Sequence, residues 1–166
     1  MIQVSQEIID KVASELSGKS EAQAEQIMQA FSQEQPFVLG YGFLMEERLE
    51  NPGDFELLVF VLTLIWACFK ELSPELQPVT DDVLADAAEV HMNESQATED
   101  LAGKTDEEIA KMMHDRISKE NQAPLLEFLS GFVYNSTFGQ DNLMAQGVIL
   151  SVGTIAVKAF DKSVNG

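Results

Sequence analysis

The chain has 166 residues, 45% of them hydrophobic, and a mean hydropathy of −0.04, enough apolar material to fill a domain core and too much for a chain disordered by composition. Its 28 acidic and 10 basic residues leave a formal net charge of −18, which argues against a nucleic-acid ligand because phosphate binding is carried by Lys and Arg. The single cysteine, Cys68, excludes an intrachain disulfide or thiolate metal cluster, and the first residues lack the basic-then-apolar pattern of a secretory signal, so a reduced, cytoplasmic setting is expected.

The first apolar stripe, Val4, Ile8, Ile9, Val12 and Leu16, has helical spacing and stops before Gly18. Ser20 with Gln23 forms a capping-box pattern ahead of a second stripe, Ala24, Ile27, Met28 and Phe31. Pro36 suits the first turn of a third helix burying Phe37, Val38, Tyr41, Leu44, Met45 and Leu49. Gly40 and Gly42 each weaken that helix by about 1 kcal/mol relative to Ala, which predicts a close helix contact or a kink there.

The most apolar stretch, "FELLVFVLTLIWACF" (55–69), is short for a bilayer span, which needs about 20 apolar residues, and it lacks positive flanks. It reads as a central core helix, started by Asp54 as cap after "NPG" and stopped by Ser73-Pro74. No membrane insertion is expected. Trp66, Phe60 and Phe69 supply bulk, and the Trp66 indole N–H needs a partner.

The acidic residues cluster: between 71 and 108 stand twelve carboxylates and one base, Lys104. A helix from about Thr80 to His91 is expected here, with Val83, Leu84, Ala87, Ala88 and His91 inward and a loop from Asn93 onward. Thr105 with Glu108 caps the next helix, striped by Ile109, Met112, Met113 and Ile117. Pro124 starts another, rich in Leu125, Leu126, Phe128, Leu129, Phe132 and Val133, and Asp141 caps a last one from Leu143 to about Lys162. The expected fold is therefore an all-α single-domain bundle of seven or eight helices over residues 1–166. Pro36 and Pro124 are 88 residues apart, and Gly42-Phe43 and Gly131-Phe132 are 89 apart, the spacing a duplicated three-helix unit would give.

The chemistry-bearing residues specify no reaction. His91 and Glu94 could reach one cation from a helix face, but neither His91 nor His114 has the Glu three positions earlier that helical carboxylate-metal sites use; no metal site or cofactor is expected. Nucleophile turns, phosphate loops and His-Glu-x-x-His stretches are absent from the sequence. Two binding readings follow, both non-enzymatic. In the first, an acidic face of Glu71, Glu75, Asp81, Asp82, Asp86, Glu89 and Glu94 recruits a basic protein partner through salt-sensitive attraction. In the second, Phe60, Trp66, Met112, Met113 and Met144 line a pocket for an apolar small molecule between the core helices. Gly147, Ser151 and Gly153 permit close approach of another helix, within the fold or across a homodimer.

Overall fold

Ser5, Ser20 and Thr105 each accept a hydrogen bond from the backbone N–H three residues on, at Ile8, Gln23 and Glu108, and each opens a helix. The computed structural model describes residues 1–97, 103–136 and 143–166. Over these the chain forms α1 (Gln6–Ser17), α2 (Glu21–Glu34), α3 (Pro36–Leu44), a 3-10 turn (Glu46–Arg48), α4 (Pro52–Leu72), α5 (Asp81–Ala97), α6 (Asp106–Ile117), α7 (Ala123–Ser136) and α8 (Leu143–Asn165). The all-α bundle is thus as expected, with eight helices and no strand among the described residues.

Several boundaries differ from those read in the sequence. Val4 precedes α1 and is buried by a tertiary contact, not by the helix stripe. The Ser20 box is complete, with the Gln23 side chain returning to the Ser20 N–H. Helix α3 ends at Leu44, and the residues it buries are Val38, Leu39 and Gly42, whereas Phe37 and Leu44, expected on the buried side, lie exposed. Pro52, preorganised for a first helical turn, starts α4 two residues before Asp54, which therefore sits inside the helix and not at its cap. Helix α5 continues to Ala97 because Glu94, expected in a loop, is held by contacts with α6 and α8. The proposed Asp141 cap lies outside the described residues.

One layout is used twice. Helix α1 packs on α4 as α5 packs on α8; α2 meets α3 as α6 meets α7; α3 lies on α4 as α7 lies on α8; and α1 crosses to α7 as α5 crosses to α3. The clearest correspondence is a pair of buried glutamines. The Gln35 Oε1 accepts the Val79 N–H at 2.8 Å and its Nε2 donates to the Gln77 carbonyl; the Gln122 Oε1 accepts the Val4 N–H at 2.9 Å and its Nε2 donates to the Ile2 carbonyl. Each glutamine, at the start of α3 or α7, therefore clasps the strand-like segment leading into the first helix of the opposite half.

Other contacts repeat with their chemistry exchanged. Lys11 of α1 pairs with Glu71 of α4, whereas Asp86 of α5 pairs with Lys162 of α8. Gly42 of α3 abuts Leu62 of α4, while Leu129 of α7 lies beside Gly153 of α8. The Thr63 and Thr154 hydroxyls both donate at 2.7 Å to the carbonyl one turn back. Phe69 and Phe160, in corresponding places, stack on each other with centroids 5.3 Å apart, as residues beside an approximate two-fold axis do. The repeated set spans four helices in each half, one more than the three-helix unit suggested by the proline and glycine spacings.

Among the described residues α4 and α8 form the most extensive helix pair, with Phe69 stacked on Phe160 and Gly153 against Val61 and Ile65. Close approach at Gly153 is internal: a Cβ there would lie 3.4 Å from Val61 and 3.7 Å from Ile65. Of the described helices, α8 and not α4 is long and apolar enough by length and composition to cross a membrane, but 56% of its most apolar window is buried in the bundle.

Candidate functional site

The second half does not fill its interior. In the first half Phe31 of α2 stacks on Trp66 of α4, with ring centroids 5.0 Å apart, and both are buried. By the helix and threonine correspondences, Arg116 of α6 and Val157 of α8 occupy those places in the second half. Val157 is buried in the core, whereas Arg116 lines a cavity of about 310 Å³ between α5, α6, α7 and α8.

Its walls follow from helical periodicity. Helix α8 presents Gly147, Leu150, Ser151, Thr154 and Lys158, one face at three- and four-residue steps whose middle is built of small side chains. Helix α6 turns Ile109, Met112, Met113 and Ile117 toward the cavity. None of its residues is buried, so the apolar stripe read as core faces this space instead. Leu126, Leu129 and Ser130 close the side formed by α7.

One end is polar. Lys158, only 14% exposed at its side chain, lies 3.2 Å from Glu94 and 2.9 Å from Glu120, and Arg116 reaches the same Glu94 oxygen at 3.1 Å. Burial pushes the Glu94 carboxyl up, but Lys158 and Arg116 outweigh it by charge and hydrogen bonding and hold it below the usual glutamate range. His91 lines the same end, and burial followed by the nearby Arg116 and Lys158 pulls its imidazole below 6.5, so the ring is neutral near pH 7. Its Nδ1 is buried with no hydrogen-bond partner among the described residues.

The structure separates the residues singled out from sequence. Met112 and Met113 line the cavity; Phe60 stacks on Phe132 away from it, Trp66 belongs to the packed first half, and Met144 is 73% exposed. The Trp66 indole N–H is buried and finds no acceptor among the described residues. Of the seven carboxylates assigned to an acidic face, Glu94 lies in the cavity wall between two cations, Glu71 pairs with Lys11 and Asp86 with Lys162. Glu75, Asp81, Asp82 and Glu89 are exposed. Among the described residues no three of His, Cys, Asp and Glu gather as metal ligands would.

Sequence reasoning missed Arg116, Glu120 and Lys158. Lys158 did carry a signal, a lone cation within the apolar "GTIAVKAF" stretch, where a buried charge requires partners. No family model, curated protein or solved structure compared with this chain matches it.

Proposed function

We propose that this protein is a non-enzymatic binding protein that holds one apolar small molecule between α5, α6, α7 and α8. The observation that carries this reading is the cavity itself: about 310 Å³, walled by Ile, Leu and Met side chains, with a small polar cluster at one end. Small-molecule sites run from about 300 to 1,000 Å³ and combine an apolar lining with a few convergent polar groups. A gap of this size between helices forfeits packing contacts, and filling it with a ligand restores them. Met112 and Met113 suit the task because their unbranched side chains adapt to the shape they meet. Recruitment of a basic protein by the acidic stretch is the weaker reading, because three of its seven carboxylates are already neutralised by the protein's own lysines and arginine.

Ser151 stands in the middle of the cavity face of α8, and Ser151→Phe places a ring in the empty space. Titration with the uncharged fluorophore N-phenyl-1-naphthylamine is expected to show saturable binding at one site, weakened at least about tenfold in Ser151→Phe, a change of about 1.4 kcal/mol. Circular dichroism checks that the variant keeps its helices. A folded Ser151→Phe protein that binds the fluorophore as tightly as the parent would overturn the assignment.

A further inference from the structure

We infer that the molecule held in this cavity ends in an uncharged oxygen, an alcohol or a carbonyl, and that ionised amphiphiles are excluded. This rests on the pocket reading above and adds the chemistry of the ligand's head.

The polar end of the cavity is electrically closed. Two cations, Arg116 and Lys158, face two carboxylates, Glu94 and Glu120, with contacts between 2.9 and 3.4 Å. The four charges sum to zero, and His91, the remaining titratable group on the wall, is neutral near pH 7. A fatty carboxylate that takes Lys158 as its cation competes with both protein carboxylates for it, so that Glu120 loses its ion pair with Lys158 and Glu94 keeps only Arg116. An alkylammonium must approach Lys158 and Arg116 directly. Either charge turns a balanced cluster into an unbalanced one, which costs most where solvent is least, at a lysine 14% exposed.

An uncharged oxygen meets neither obstacle. The Lys158 ammonium donates to Glu120 at 2.9 Å and straddles the two Glu94 oxygens at 3.2 and 3.4 Å, so a hydroxyl or carbonyl oxygen can take the longer of the Glu94 contacts while both carboxylates keep their cation. The rest of the wall is compatible with an alkyl chain or ring. Leu126, Leu129 and Leu150 are apolar, and the Thr154 hydroxyl is already spent on the Leu150 carbonyl.

Isothermal titration of the full chain near neutral pH with decan-1-ol, decanoate and decylammonium tests the inference. Decan-1-ol is expected to bind at least about tenfold more tightly than either ion. In Glu120→Gln, which leaves the cluster with one surplus positive charge, decanoate should gain about tenfold while decan-1-ol changes little. Parent protein that binds decanoate or decylammonium as well as the alcohol overturns the inference, and so does a Glu120→Gln variant whose decanoate affinity stays fixed relative to the alcohol. Binding of an ion that disappears in Ser151→Phe would leave the pocket reading standing and remove only the head-group assignment. Failure of all three compounds and of the neutral fluorophore to bind would remove both.

Discussion

Replacing Gln122 by Leu tests whether the glutamine clasps hold the two halves together. The variant deletes three hydrogen bonds, but they do not count equally. The Ile2 carbonyl keeps donors from Asn121 and Asn165, and so does the Asp161 carboxylate. What remains is the Val4 N–H, which lies in a buried bond and has Gln122 as its acceptor. Leaving one buried donor unsatisfied costs about 1–3 kcal/mol. In Gln35→Leu the Val79 N–H is orphaned in the same way, while the Gln77 carbonyl belongs to an exposed residue and passes to water. The two variants should therefore lose similar stability, about 1–3 kcal/mol each, or about 2–12 °C in Tm for a chain of this length. Urea unfolding followed by Trp66 fluorescence, which reports the first half, and by far-UV circular dichroism, which reports both, should give coincident transitions in both variants because each clasp crosses between halves. A loss below about 0.5 kcal/mol in either variant, or a dichroism transition that separates from the fluorescence one, would refute the reasoning.

Three further outcomes follow from the geometry. A Cβ at Gly40 meets nothing within 4 Å, so Gly40→Ala should stabilise by about 0.5–1 kcal/mol; at Gly42 it would lie 2.6 Å from buried Leu62, so Gly42→Ala should destabilise by about 1–3 kcal/mol, both read by chemical denaturation. Trp66→Phe removes a buried donor that has no acceptor among the described residues while keeping a ring against Phe31, so its stability should stay within about 1 kcal/mol of the parent, and a larger loss would show that the indole N–H is satisfied. The His91 pKa is lowered on folding, so the unfolded chain takes up more protons: its contribution is complete above about 6.5 and is lost as the pH falls through the lower folded value. Thermal denaturation between pH 8 and pH 5 should accordingly show a fall in Tm that His91→Phe reduces.

Local signals carried much of this fold. Ser20 and Thr105 are legible as starts because capping depends on neighbours in sequence, and the periodic stripes follow from the helix's own geometry, whereas Ser5, the cap of α1, is hidden by a stripe that begins at Val4. The places that went wrong depend on distant partners. Val4 joined the first stripe because burial by the Gln122 clasp leaves the same apolar residue as burial on a helix face, and α5 outran its expected end because Glu94 is fixed by residues far along the chain. The cavity was half legible for a related reason. Met112 and Met113 are suggested by composition, but a void arises from what is missing between helices, and that depends on the packing of α5, α6, α7 and α8 rather than on any local pattern.

The Ile2 N–H donates to the Asn165 side chain at 2.8 Å, and that side chain returns a bond to the Ile2 carbonyl at 2.9 Å. The end of α8 therefore meets the start of the chain in the place where, in the other half, the loop 73–80 carries the backbone from α4 into α5. In topological terms the eight helices of the described residues form a ring lacking one connection. A short linker from Gly166 to Met1 would supply it, after which the ring could be opened at 73–75 without disturbing either clasp, giving a circular permutant that retains every helix and both glutamine bonds.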